Sequence, residues 1–434
     1  MEADFQIILA RKDAHIESQY DQNLSFDFLR SMKFLSYCLF FMLLVSCGSE
    51  KKAEVSPKAF SWEEQEAAAS GRTVHMMMWQ GDPYINAYMK EYVVPKVKEL
   101  YGIHLELLNG QGNQIVSTLM GEMEADKAES EIDMMWINGE TFYQLRQINA
   151  LYGPFVDRLP NSGYIDFENE FIGTHFQQAT EGYECPWGNV QLALIYNSEK
   201  VDEPPLDLLE LQAFVKQHPG VFTIGNDFTG MTLLKSWLAA FSGSTQGLNG
   251  PFDEEKYMRL STQMWQYIND LKPYLWKEGS TFPSSVAQMH QLYANGELWF
   301  TMSNNDGDVD NKVAQGLFSE ASRAFVFNSG TIQNSHYLGI PAHSGNKEAA
   351  EVVINFMISK EAQLHKMNPT IWGDGTVLSM DKVGSDWKQR FENIPERKYA
   401  PKRSDIQEKA IMEPAPEYMI RLFEDFRKYV IEAD

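Results

Sequence analysis

YECPWGNVQLALIYN, from Tyr183 to Asn197, is the stretch that decides how this chain folds. Cys185 to Gly188 reads as a turn, and the apolar run Val190 to Tyr196, too short for a helix, reads as a strand. Before it, strand-like runs alternate with helix-like runs. After it a second such series begins, and the chain later returns. The run is therefore expected to cross between two α/β lobes, with a ligand cleft where the strand ends of the two lobes face each other. Trp187 stands either at the mouth of that cleft or buried in a tight Pro-Gly turn.

Upstream, Thr73 to Trp79 (TVHMMMW) reads as a buried strand. Asp82 and Pro83 then cap and start a helix that carries Ile85, Tyr88, Met89, Tyr92, Val93 and Val97 on one face, with Pro95 expected to bend it. Ile103, Leu105 and Leu107 alternate as a second strand, Asn113 to Met123 is helical, and Ile132 to Ile137 is a third strand. This order calls for a parallel sheet covered by helices. Downstream, strands are expected at Val221 to Ile224, Leu298 to Met302, Ala324 to Phe327 and His336 to Ile340. Helices are expected around Leu206 to Gln217, Thr232 to Phe241, Asp253 to Leu271, Val286 to Ala294, Lys347 to Lys366 and Pro416 to Val430, and Trp372 to Leu378 is a loop punctuated by glycine.

The chain has 434 residues with 44% hydrophobic composition, enough for two domains with sizeable cores. A net charge of -23 argues against nucleic acid and anionic membrane surfaces as partners. Phe34 to Val45 is an apolar run of signal-peptide length, and Leu44, Val45, Ser46 and Cys47 resemble a lipoprotein processing box in which Cys47 receives the lipid. Residues 1–31 then form a non-native extension, 32–46 a lipoprotein signal peptide, and 47–60 a flexible tether. Cys38 would leave with the signal, so Cys185 alone remains inside the fold, as a small buried hydrophobe.

Catalytic signatures fail on inspection. Gly243 to Gly247 places Thr245 where a nucleophile elbow needs serine. Asp306, Asp308 and Asp310 have the opening spacing of a calcium loop, yet Asn311 and Leu317 occupy the positions of its glycine and glutamate, so a solvated acidic loop is the expectation. No zinc or phosphate-loop spacing is present. No catalytic residue, metal or cofactor is assigned.

Indoles and carboxylates instead occur together at strand ends and in loops: Trp79 with Asp82, Trp136 with Asn138 and Glu140, Trp372 with Asp374. Each has a bland reading as a core ring or a helix cap. Converging on one sheet edge, they suit a cationic or polarised aromatic ligand, each cation-π contact giving roughly 0.5 to 2 kcal/mol. Thr229 and Gly230, ahead of a helix, would offer free N-H groups to an anionic or carbonyl group on the same ligand.

With these residues in place the chain resembles the YnjB-like branch of the ABC-transporter extracellular solute-binding proteins. The resemblance rests on the Trp79 to Asp82 loop, DMMWINGE at Asp133 to Glu140, YECPWGNVQLALIYN, DFTGMTLLK at Asp227 to Lys235, INFMISKEAQLHKM at Ile354 to Met367 and IWGDGTVL at Ile371 to Leu378. It implies a bilobed periplasmic-binding-protein fold: 61–185 as the first part of lobe 1, 186–320 as lobe 2, 321–385 as the return of lobe 1, and 386–434 as a C-terminal helical segment. It also implies that Trp79, Asp82, Trp136, Asn138, Glu140, Trp187, Asp227, Thr229, Asn304, Asn334 and Trp372 face the cleft. The expected protein is a non-enzymatic, monomeric receptor, tethered to the cell envelope through Cys47, that captures a small solute and delivers it to an ABC permease. The alternatives are an anchored glycan-binding lipoprotein and a cell-envelope hydrolase using Asp82 or Glu140.

Overall fold

Residues 61–433 are described by a computed structural model; the expected signal peptide, the expected tether and Cys47 lie outside the described residues. In chain order the strands are β1 (Thr73–Met78), β2 (His104–Asn109), β3 (Met134–Ile137), β4 (Thr174–His175), β5 (Gln178–Ala179), β6 (Glu184–Gln191), β7 (Ala193–Asn197), β8 (Phe300–Ser303), β9 (Ser322–Phe325), β10 (Thr331–Gly339) and β11 (Ala410–Met412). The first sheet runs β11-β10-β3-β1-β2, with β6 also pairing β10.

In the first sheet β1 pairs in parallel with β2 and β3, as crossover connections through helices allow. Alternation sorts the side chains: Met76 and Met78 enter one core, Met77 the core on the opposite face. The first crossover helix is interrupted. Pro83–Ala87 runs into a π-helical turn, Tyr88–Val93, before Val94–Tyr101, because Pro95 has no N-H for the preceding turn. Ala350, Val353, Ile354 and Met357 are buried as expected, but their helix ends at Met357 and a second, Lys360–Met367, starts after the Ser359 cap.

Strands β6 and β7 are separated by Leu192 alone, yet lie in different sheets. The chain passes between lobes there, after residues 184–191 have completed the first sheet, so the passage falls later than the turn at Cys185 to Gly188. Those four residues are strand, not turn. The second lobe also departs from expectation. Its sheet, β8-β7-β9, is antiparallel throughout. Val221 to Ile224 is buried but not a strand: the carbonyls of Val221 and Phe222 each accept a single N-H, from Trp299 and Trp276 at 2.9 Å. A buried apolar run carries no sign of whether a ladder partner will be available.

A separate core fills this lobe, with Leu234 and Trp237 of the helix Phe228–Ser242 packed against Met264, Phe300, Tyr418 and Phe426. The C-terminal helix Pro416–Phe426 thus belongs to the second core, whereas Phe391, in the helix Ser385–Glu392, belongs to the first. Residues 393–409 connect the two. Among the described residues no helix is long and apolar enough to cross a membrane.

Candidate functional site

Short polar caps bring the loops of both lobes to one seam. On lobe 1, the Asp82 carboxylate accepts the N-H groups of Tyr84 and Ile85 at 2.8 and 3.1 Å, and Asn138 accepts that of Thr141 at 2.8 Å. On lobe 2, Asp227 accepts the Gly230 N-H at 2.9 Å, which places Thr229 and Gly230 inside the first helical turn rather than ahead of it. That N-H is therefore already bonded and not open to an anionic ligand. Asn304 donates to the Thr229 hydroxyl at 3.2 Å, and its own Oδ1 is buried without a partner among the described residues.

The two faces meet through Lys312. Its ammonium is buried, bonds the second oxygen of Asp82 across the seam, and lies 3.1 Å from Asp308 on its own helix and 5.8 Å from the Tyr84 ring. Burial alone would lower its pKa; the Asp308 and Asp82 carboxylates more than offset that and raise it. Beside it, Asn311 donates to the Trp372 carbonyl. The acidic loop is thus not solvated: Asp306, Asp308 and Asp310 are all buried, held respectively by two arginines, Lys312 and the backbone N-H groups of residues 398–400.

Sequence reasoning missed Lys312 and Tyr84. The four-residue spacing of Asp308 and Lys312 is a helical ion-pair signal, but the calcium-loop comparison drew attention to the acids alone.

A second contact across the lobes is fully buried. Lys235 on the helix Phe228–Ser242 donates to Glu413 at 2.5 Å, and Glu413 also accepts from Asn334 on β10 at 2.8 Å. The ammonium lies 4.5 Å from the Phe176 ring centre. Asn334 therefore serves this tie. Glu140, at the start of the helix Gly139–Gln147, has its carboxyl raised by burial, with Lys235 acting in the opposite direction. The Asp227 carboxyl is likewise raised by burial, against the hydrogen bonds it accepts from the backbone. Neither Glu140 nor Asp227 forms an ion pair among the described residues.

The indoles divide into two kinds. Trp79 and Trp136 are half-buried; Trp79 folds over Gly81, where a Cβ would come within 2.3 Å of the ring. Trp187 and Trp372 are 0% and 3% exposed, and both are core. The rings of Trp136, Trp187, Trp372 and His336 pack together at 5.1 to 6.2 Å. Trp187 is not at a cleft mouth. The ladder between β6 and β10 pairs His336 with Gly188 and Tyr337 with Pro186, leaving Trp187 as the extra residue of a bulge. Its freed carbonyl accepts from Gln363 at 2.9 Å and Lys366 at 2.7 Å.

Lys366 also grips the Asp374 carboxylate and the Gly375 carbonyl, and His336 meets Asp374 at 2.9 Å. The loop Ile371 to Leu378 is thus bonded onto the bulge, and Gly188 is required because a Cβ there would meet Asp374 at 2.1 Å. A cavity lined by His175, Phe176, Gln333 and Glu413 has a volume of 10 Å3, room for one water and no organic solute.

A family described as bacterial extracellular solute-binding protein matches residues 84–385. Protein YnjB of Escherichia coli (strain K12) is 33% identical over 339 residues, covering 77% of this chain and 87% of that protein. Among solved structures, the TpPotD lipoprotein of Treponema pallidum aligns with a TM-score of 0.60 at 13% identity, over 82% of this chain and 99% of that one. The spermidine/putrescine substrate-binding protein PotD of Streptococcus pneumoniae aligns at 0.58 and 14%, over 82% and 99%. The periplasmic binding protein AfuA of Actinobacillus pleuropneumoniae, with fructose-6-phosphate bound, aligns at 0.59 and 14%, over 84% and 100%. At these identities the structures share the bilobed fold.

Proposed function

The chain belongs to the bacterial extracellular solute-binding protein family, and from that premise we propose that it is a monomeric receptor of an ABC importer, anchored to the cell envelope through a lipid on Cys47. It takes a small solute between its lobes and presents it to a membrane permease, without chemical change to the solute. The observation that carries this reading is the meeting of Asp82, on lobe 1, and Lys312, on lobe 2, across the seam. Such an arrangement opens by rotation about the connections and closes on what it holds.

The solute is a small cation with a flat or extended apolar part. Asp82 is matched by Lys312, but Glu140 and Asp227 have no ionic partner among the described residues, and burial makes their ionised forms costly. A cation delivered between the lobes would relieve that cost, while the half-buried faces of Trp79 and Trp136 supply cation-π attraction, roughly 0.5 to 2 kcal/mol each. The Streptococcus pneumoniae structure is described as a spermidine/putrescine binder, which is the same charge class.

A thermal-shift panel of spermidine, putrescine and thiamine against neutral oligosaccharides tests this. Stabilisation by at least one cation, lost in Asp227→Asn, is expected. Stabilisation by oligosaccharides alone would replace the cationic reading with the glycan-binding one.

A further inference from the structure

A cavity of 160 Å3 opens on the lobe 1 side of the seam, where residues 394–403 run past the end of the helix Lys360–Met367. It is lined by Met367, Gly373, Arg397 and Arg403, and by two carboxylates, Asp374 and Glu396. Both guanidinium groups converge on one carboxylate. Asp306 is 1% exposed and accepts from Arg397 Nη1, from Arg403 Nε at 3.2 Å and Nη2 at 3.3 Å, and from the Gln191 backbone N-H at 3.1 Å. Two fixed positive charges share one negative.

The remaining acids nearby are already matched. Asp374 is bonded by Lys366 and His336, and Glu396 pairs with Lys402 at 2.9 Å on the solvent side. Asp310 turns to the backbone N-H groups of Lys398, Tyr399 and Ala400. On the arginines, by contrast, donors remain: Nε and Nη2 of Arg397 and Nη1 of Arg403 form no hydrogen bond to the described residues.

The guanidiniums are also fixed in place. A Cβ on Gly307 would lie 3.1 Å from that of Arg397, and one on Gly375 would lie 1.7 Å from Arg403 Nη1, so both planes rest against bare backbone. Beside Gly373 stands the Asn311 Oδ1, buried and without a partner among the described residues. It offers an acceptor for the proton of a hydrogenphosphate.

We propose that this cavity binds a small oxyanion of the phosphate class, held by the unused N-H groups of Arg397 and Arg403. Arginine presents such donors in a planar fork that matches oxyanion geometry, and the hydrogen bonds are charge-assisted. Because Asp306 follows β8 of the second lobe while Gly373 belongs to the first, a bound anion ties both lobes to the connecting segment and favours their closed arrangement. The residues differ from those assigned to the solute, so this site stands or fails separately from the cationic reading.

The test uses the full processed chain and inorganic phosphate. Calorimetry at pH 7 is expected to show saturable binding at one site, weakened at least roughly tenfold in Arg397→Gln and less in Arg397→Lys, which keeps the charge but not the fork. Crystals of the unaltered protein soaked in selenate, which need no variant to fold, are expected to show an anomalous peak within hydrogen-bonding distance of both arginines. Absence of binding, equal affinity in Arg397→Gln, or selenate found only elsewhere would overturn the proposal.

Discussion

Trp187 sits where the register between β6 and β10 slips by one residue, and its burial follows from that slip. Pro186 gives no N-H to the ladder, so a bulge at this point sacrifices few bonds, and the extra residue turns its ring into the first core against Trp136 and Trp372. Trp187→Ala is therefore expected to cost about 3 to 5 kcal/mol, the range for deleting a buried aromatic ring, read as a large drop in melting temperature without any solute. Trp187→Phe should recover much of it. A variant that melts like the parent would restore the ring to the cleft. The sequence showed that tryptophan, proline and glycine meet at this point; it could not show the slip, because a bulge is a relation to a partner strand nearly 150 residues away.

At the scale of elements, the loop Ile371 to Leu378 and the C-terminal segment act as fasteners between regions distant in sequence. Burial alone would raise the Asp374 carboxyl, but the His336 ring and the Lys366 ammonium more than offset this and hold it below the usual carboxylate range. A carboxyl whose folded pKa is depressed contributes stability above its unfolded value, and loses it as pH falls through the folded one. Melting temperature is thus expected to fall below about pH 4, with a shallower acid slope in Asp374→Asn; equal slopes would remove Asp374 from this role.

The Lys235 and Glu413 pair carries a separate expectation. Removing one partner leaves an uncompensated charge in a buried site, so Lys235→Met should cost about 3 to 5 kcal/mol, and adding Glu413→Gln should return part of it. Strictly additive losses in denaturant unfolding would show that the two groups do not interact. Neither pair was legible in the sequence. Local signals such as Asp82 before Pro83, the apolar run of β1 and the buried face of the helix Lys347–Met357 depend on neighbours in the chain, whereas Lys235 and Glu413 are 178 residues apart and no spacing rule joins them.

Over the described residues the molecule is two lobes joined by three lengths of chain, and the balance between open and closed arrangements rests on what bridges the seam. Lys312 is the bridge whose removal tests that balance. In Lys312→Met, Asp82 and Asp308 lose their shared cation and are left facing one another in a site that excludes most water. Like charges held this closely favour separation of the faces, so the solute-free variant is expected to show a larger radius of gyration in solution scattering than the parent.

Solute affinity then discriminates between two roles for this lysine. If the ammonium occupies the place a cationic solute would take, the variant exposes two carboxylates to that solute and binds it more tightly, by roughly tenfold for each 1.4 kcal/mol gained. If Lys312 instead touches the solute, affinity falls. A ligand can shift the lobes only by as much as it prefers one arrangement to the other. The same variant should therefore close fully on a cation that replaces the lost charge, and its radius of gyration with that cation bound should match the parent's; a variant that stays expanded at saturation would mean that Asp82 and Lys312 are a fixed strut rather than the closing contact.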